Sequence, residues 1–430
     1  MSRDYQHINP YIQALLNDIG PEKLHQQLSP KHHESPPHIA HRPNCDIDGV
    51  NARWCQLNVD EHAKAQLLDA QTIAQLPVFE HNIENLIGTV KLPVGLAGPL
   101  RVNGMFAQGD YYIPLATSEA ALVASYSRGA VLISKAGGCS SMLLSEGVSR
   151  APAFAFANII EAGEFVRWAV QQVDTFKSIA ETTSRHAKLS DMRVTVEGNH
   201  VYLGFEYLTG DAAGQNMVTI ATDAVVQHIA QHSPTKPQYF FVEGNLSGDK
   251  KASALSFLSV RGKKVSAEVT LPEKLVRAVL HTTPKQMVDY WRMSAIGGVL
   301  SGTIGVQGHY ANGLAALYIA CGQDAACVSE SAVGVTRMEV TDNNELYASV
   351  TLPNLIVGTV GGGTKLPSQK ACLDIMGLAG HGHARAFAEV CASLALAGEL
   401  SIIGALTAGH FTSAHQRLAR GDATGKADDK

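Results

Sequence analysis

The run ANIIEAGEFVRWAVQQVDTFKSIAE (Ala157–Glu181), followed by RVTVEG (Arg193–Gly198) and VYLGFEYL (Val201–Leu208), decides the fold class. The first segment places apolar residues at helical spacing, whereas the other two alternate apolar and polar residues, the period of a half-buried strand. Gly198-Asn199 supplies the residue types of a tight hairpin turn, and a second helix begins near Asn216. Helix, hairpin and helix describe a small α+β insert packed on one sheet face, over about 151–235.

Outward from this insert the texture changes. Residues 83–115 are Gly/Pro-punctuated and strand-like (IENLIGTVKLPVGLAGPLRVNG, then YYIPLAT), and Ser118 is placed to cap a helix running from Glu119 towards Ser134. Residues Val50 to Phe79 have helical spacing, while residues 1–45 are polar, His- and Pro-rich and partly irregular. The His clusters of KHHESPPHIAHRPN (31–44) lack a regular ligand spacing, so a solvated linker outranks a metal site. Beyond residue 240 the chain is Gly- and Ala-rich and reads as helical to about 420. The expected layout is therefore an N-terminal polar and helical region (1–80), then a large domain (81–150 and 236–420) interrupted by the insert (151–235). A tail (421–430) whose only apolar residue type is alanine is expected to be disordered.

Composition excludes several classes. Of 430 residues, 45% are hydrophobic and 17% charged, enough for a large core, and a net charge of -5 gives no electrostatic case for nucleic acid. MSRDYQHINP has no secretory pattern, and no run reaches the length of about 18 apolar residues that a membrane span needs. ASLALAGELSIIGALTAG (392–409) is the nearest, but it carries Glu399 and three glycines and reads as a core helix. Seven cysteines without a CxxC pair suit a reducing cytoplasm.

Four segments concentrate ionisable residues among small ones. In ATSEAALVASYSRG (116–129), Glu119 is either a general acid or a capping glutamate. In GNLSGDKKASA (244–254), Lys250 and Lys251 follow Asp249, and adjacent side chains point in different directions. One ammonium could face a reacting carbonyl and stabilise an oxyanion while the other holds a carboxylate; a surface lysine pair is the plainer alternative. Asp324 in YIACGQDAA (318–326) is equally an N-cap or a partly buried, partnered aspartate. In LTAGHFTSAHQRLARG (406–421), His415 is a general-acid candidate or a solvated histidine. GTVGGGT (358–364) is not a G-x-G-x-x-G motif and no strand–turn–helix frame surrounds it, so a dinucleotide must be held by some other fold.

In order and spacing, ENLIGTVKLPVGLAGPL, ATSEAALVASYSRG, TGDAAGQNM, GDKK, CGQDAA, GTVGGGTKLPSQKACL and GHFTSAH resemble the catalytic region of 3-hydroxy-3-methylglutaryl-CoA (HMG-CoA) reductases, from about Asn85 to His415. The resemblance implies an α+β fold: a large, mainly helical substrate-binding domain with an inserted ferredoxin-like cofactor-binding domain. It implies reduction of HMG-CoA to mevalonate and CoA in two hydride transfers, without a metal. It casts Lys250 as the oxyanion stabiliser, Asp324 as its tuning partner, Glu119 as the acid of aldehyde reduction and His415 as the acid that protonates the departing thiolate. Asp249, Lys251, Arg150 and Asn312 match substrate positions, and Ser125, Arg128 and His309 match CoA contacts. Asp211, Ala213, Gly214, Gln215 and Asn216 match the dinucleotide loop, and Ser184 and Arg185 match the pair that holds a 2′-phosphate. An arginine there suits NADPH, hence the class I, eukaryote/archaeal-like branch. The family's active site forms at a dimer interface, so a homodimer or tetramer is implied, with no membrane or nucleic-acid partner and a cytoplasmic location.

Three departures bear on the acyl end. Glu243 stands where the family has a substrate-binding serine; Gln307–Asn312 keep only His309 and Asn312 of the family's motif; and a further substrate lysine has no match, leaving Arg292 as its candidate stand-in. Ser127 also replaces an asparagine near CoA. Reduction of a related 3-hydroxyacyl-CoA is therefore the close rival. A catalytically silent CoA-binding homologue is the rival of another class, and retention of all four catalytic types argues against it.

Overall fold

The computed structural model describes residues 5–31, 35, 38–39, 45–259 and 261–409. The chain divides into two compact units, 1–89 and 90–430. His410, His415 and the 421–430 tail lie outside the described residues.

The first unit contains α1 (Tyr5–Ile19) and α2 (Pro21–Leu28), more regular than its polar composition suggests. The helical reading from Val50 to Phe79 resolves into α3 (Ile47–Trp54), α4 (Glu61–Leu67), α5 (Ala70–Ala74) and a final 3-10 turn. Asp46 starts the first of these, and Asp60 and Asp69 cause the breaks that follow. Each adopts extended backbone and accepts the amide three residues on, at 2.7, 2.8 and 2.7 Å, so each starts a new helix. Arg53 Nε and Trp54 Nε1 donate to the Leu86 and Ile87 carbonyls, both at 2.8 Å.

The second unit opens with the antiparallel pair β1 (Val94–Gly104) and β2 (Gln108–Ala116), then α6 (Leu122–Lys135) and β3 (Cys139–Arg150). β4 (Ala153–Ala155) leads to α7 (Ile159–Ala169) and α8 (Val173–Thr183); the single helix expected through Glu181 is interrupted by a 3-10 turn at Val170–Gln172. The hairpin β5 (Lys188–Glu197) and β6 (His200–Leu208) turns at Gly198-Asn199, and α9 (Gln215–His232) and β7 (Tyr239–Phe241) follow. Then come α10 (Leu255–Leu258), β8 (Gly262–Leu271), α11 (Glu273–Leu280), α12 (Pro284–Ser301), α13 (Tyr310–Ala320), α14 (Val328–Ser331), β9 (Val335–Val340), β10 (Leu346–Leu355), α15 (Pro367–Ile375) and α16 (Ala384–Thr407). Three strands thus lie in the portion whose composition reads as helical. Their alternation, as in KVSAEVTL, is short and is masked by Ala- and Gly-rich surroundings.

The architecture is α+β, and β3 joins its parts. Cys139–Ser141 of β3 pair parallel with β1 and Ser140–Gly147 antiparallel with β8, while its last three residues, Val148–Arg150, pair with β6. One strand therefore runs from one hydrophobic core into another. The smaller core gathers Phe154, Phe165, Phe176, Phe205 and Val225 between α7, α8, α9 and the β4–β6 strands. The larger surrounds α16, the segment read as a core helix, most of which is buried. Gly129 lets α6 cross it, because a Cβ there would lie 1.9 Å from the Ala397 carbonyl oxygen.

Two glutamates inside α16 tie loops to it. Glu389 accepts the amides of Met105, Phe106, Ala107 and Leu143 at 2.8–3.2 Å. Glu399 accepts those of Gly308 and His309, plus the Thr336 hydroxyl, at 2.8–2.9 Å. A buried carboxylate is tolerated where fixed donors replace water, and these amides do so.

Candidate active site

Lys250 lies on the turn after Gly248, with a left-handed φ of 57°. Its Nζ is 2.8 Å from Asp324 Oδ2, and this hydrogen bond raises the lysine pKa, keeping the group an ammonium. Asp324 fills both roles its sequence context allowed: Oδ1 accepts the Ala326 amide at 3.0 Å as an N-cap, and Oδ2 holds Lys250. Its side chain is 39% exposed, less buried than its apolar neighbours imply.

Behind Lys250 lies a chain of charges. Arg261, buried, contacts Asp249 through Nη2, and Arg150 Nη1 donates to the same carboxylate at 2.9 Å. Burial alone would raise the Asp249 pKa; the two guanidiniums outweigh it and hold the carboxyl below its ordinary range. Arg150 also donates to Glu243 Oε2 at 3.4 Å, and that oxygen accepts the Ala151 amide and the Ser247 hydroxyl. Glu243, the least expected residue of the segment, is thus partnered by an arginine. Lys251 turns back on its own loop, donating to the Asp249 carbonyl at 2.8 Å.

Beneath the loop sits Glu330, fully buried on α14, accepting the Lys250 amide at 3.1 Å. Burial pushes its pKa up to about 7, against the opposing pull of Arg261. Neither Glu330 nor Arg261 was singled out from sequence; the only signal for Arg261 is its place in the basic run RGKK, and Glu330 has none.

Glu119 forms a second cluster. It precedes α6 rather than opening it: Ala121 takes a left-handed φ of 70°, the helix begins at Leu122, and the Glu119 amide donates to Thr117, so Ser118 is not the cap. Its Oε2 accepts from Asn312 Nδ2 at 2.9 Å. Asn312 is placed by the loop that Glu399 grips, and Tyr126 adds a hold, donating to the His309 carbonyl and accepting the Gly313 amide, both at 2.9 Å. His309 stacks on Tyr126, ring centroids 5.1 Å apart. Ser125 and Arg128 converge on Ser401 of α16, at 2.9 and 3.0 Å. Among the described residues, no hydrogen bond or ion pair joins the Glu119–Asn312 pair to the Lys250–Asp324 pair. Arg292, 69% exposed on α12, lies 3.6 Å from Asp289.

The residues matched to a dinucleotide divide in two. Arg185 is exposed just past α8, and the neighbouring Ser184 hydroxyl accepts the His186 amide at 3.2 Å. In the 211–216 loop, Asp211 is already engaged, accepting the amides of Gly382 and Ala384 at the start of α16 at 2.8 and 3.2 Å. Gln215 Nε2 lies 2.7 Å from Cys327 Sγ, Gly214 takes a φ of 83°, Ala213 is half-buried, and Asn216 is exposed at the start of α9. The glycine-rich 358–364 segment packs on this loop: a Cβ at Gly358 would fall 2.4 Å from the Ala213 nitrogen. Its small residues thus serve backbone contact. Among the described residues, no group of three His, Cys, Asp or Glu could hold a metal.

The hydroxymethylglutaryl-coenzyme A reductase family model matches residues 49–420. The chain is 44% identical over 348 residues to 3-hydroxy-3-methylglutaryl-coenzyme A reductase of Pyrococcus horikoshii, covering 79% of this chain and 84% of that one. It is 42% identical over 371 residues to the Methanothermobacter thermautotrophicus enzyme of the same name, covering 86% and 91%. Among solved structures, the class II 3-hydroxy-3-methylglutaryl-CoA reductase of Streptococcus pneumoniae bound to NADPH superposes with a TM-score of 0.62 over 80% of this chain and 95% of that one, at 20% identity. The fold is shared with that bacterial protein, while the sequence lies much nearer the archaeal, class I-like members. The chain belongs to the hydroxymethylglutaryl-coenzyme A reductase family.

Proposed function

We propose that this protein reduces HMG-CoA to mevalonate and CoA with NADPH, in the cytoplasm, as an enzyme of isoprenoid biosynthesis. The observation that carries the reading is the Lys250–Asp324 pair at 2.8 Å, fixed above buried charges on a strained turn. An ammonium held there stabilises the negative charge that develops on the acyl oxygen, a large catalytic contribution when the cation is already in place. Asp324 keeps that ammonium charged and aimed. Glu119, oriented by Asn312, delivers a proton to the aldehyde oxygen. His415, outside the described residues, protonates the departing thiolate by virtue of the family resemblance.

Arg150, Asp249, Lys251 and Asn312 are assigned to the acyl end, and Ser125, Arg128 and His309 to CoA. The cofactor supplies hydride when bound. Arg185 is free to present its planar donor fork to a 2′-phosphate, Ser184 lies beside it, and the 211–216 loop, stiffened by Asp211 and Gly358, forms the wall near the dinucleotide. The domain reading keeps 151–235 as the cofactor-binding insert, supported by its separate hydrophobic core. Self-association is supported by α12, whose Met293, Ile296 and Leu300 form an apolar stripe exposed by 76, 62 and 83%. Association across such a stripe would let a second copy contribute to the site, whose Glu119–Asn312 and Lys250–Asp324 pairs no hydrogen bond joins among the described residues.

Following NADPH and NADH oxidation with HMG-CoA tests the reading. Turnover with strong NADPH preference is expected, and a folded sample inert with both cofactors would overturn it. The rival acyl specificity has one observation behind it, the Glu243 contact with Arg150, and faster turnover of another 3-hydroxyacyl-CoA would favour it.

A further inference from the structure

We infer that Glu330 is a positioning residue for Lys250: by accepting the Lys250 amide from below, it fixes the turn that aims the ammonium at Asp324. The inference rests on the reading of Lys250 as the catalytic lysine. A non-glycine residue at a φ of 57° does not stay there unaided, so something must hold the turn. Glu330 Oε1 is 3.1 Å from the Lys250 nitrogen, and the residue is wholly buried.

Two further contacts tie this hold to the chemistry. Glu330 Oε2 lies 3.3 Å from Arg261 Nε, an ion contact, while Arg261 Nη2 reaches Asp249, the residue before Lys250. Arg261 therefore links the carboxylate under the turn to the carboxylate within it. Asp324 and Glu330 also come from one short stretch, 324–331, so a single segment grips Lys250 by its head and by its backbone. A shift of that segment moves both grips together.

The hold depends on charge. The groups facing the Glu330 carboxylate are Arg261, Asp249, the Cys327 thiol, the Tyr318 phenol and the Lys250 amide. Only Arg261 among them is cationic, and burial leaves the carboxyl titrating near neutrality, at about 7. Protonation weakens the acceptor and cancels the attraction to Arg261, so the turn loosens as pH falls.

The test is kcat and KM against pH for the wild type, Glu330→Gln and Glu330→Ala, with Lys250→Met as the control and circular dichroism as the fold check. The wild type should lose kcat as pH falls through 7. Glu330→Gln should lower kcat about tenfold at high pH, with KM little changed and the acidic limb gone, because a neutral acceptor replaces a charged one. Glu330→Ala should lose more. An active Lys250→Met would sink the reading of Lys250 itself. A dead Lys250→Met beside a Glu330→Gln with wild-type kcat and acidic limb would overturn the positioning role alone. Should the Glu330 variants not fold, a wild-type kcat without an acidic limb near 7 would overturn it as well.

Discussion

Glu399 offers the sharpest link between packing and catalysis. It sits inside α16, its side chain 1% exposed, and is the acceptor for the Gly308 amide, the His309 amide and the Thr336 hydroxyl, all within 2.9 Å. Glu399→Leu keeps much of the volume and removes the acceptor. Thr336 and His309 are then left with poorly satisfied donors, whereas Gly308, near solvent, recovers a partner. At roughly 1–3 kcal/mol for each of these two donors left unpaired, the loss is about 2–6 kcal/mol. Glu399→Gln retains one oxygen and should cost about 1–2 kcal/mol, the difference between charged and neutral acceptors. Guanidinium unfolding followed by tryptophan fluorescence is suited to this, since Trp291 Nε1 donates to the Thr336 carbonyl at 2.7 Å and reports on the same place. The same loop delivers Asn312 to Glu119, so Glu399→Leu should also lower kcat/KM about a hundredfold in protein that remains folded, within the range for a misplaced catalytic group. A Leu variant within 1 kcal/mol of the wild type, or one equally stable to the Gln variant, would refute the reasoning.

Three other outcomes are expected. Asp324→Asn should cut kcat about a hundredfold and leave stability nearly unchanged, because the pair it breaks is part-exposed and salt-screened; wild-type kcat would remove Asp324 from the mechanism. Arg185→Ala should raise KM for NADPH by roughly tenfold or more and leave KM for NADH alone, and equal effects on both would end its assignment to a 2′-phosphate. Glu330 has a folded pKa raised from 4.5 to about 7, so between those values the folded state binds more proton than the unfolded one and stability falls as pH rises through the window. Above it, the stability difference between Glu330→Gln and the wild type should have moved in favour of the variant by on the order of 3 kcal/mol relative to that difference at pH 4; a constant difference across pH would contradict the shift.

Much of this molecule is written locally. Alternation in RVTVEG and VYLGFEYL with Gly198-Asn199 between them specifies the hairpin, and the apolar run around Glu399 specifies a core helix, because both signals are periods that neighbouring residues carry by themselves. The strands β8, β9 and β10 were less legible, since small residues there blur the difference between strand and helix. Asp60 and Asp69 were legible in principle, and their capping breaks a helix that periodicity alone would continue.

Sequence by itself determined the family and, through the resemblance, offered Lys250, Asp324, Glu119 and Asn312 as candidates for its site. The family resemblance already set Asp324 beside Lys250, a pair the structure brings together across 74 positions; only the tertiary structure decided that Glu119 pairs with Asn312 across 193. It also decided that Glu243 faces Arg150, and that Glu330 and Arg261 brace the lysine turn from inside the core. The physical reason is one of range. Periodicity, caps and turns depend on residues a few positions apart, whereas the state of a buried charge depends on whichever partner the fold brings within about 3 Å, and no local pattern encodes that.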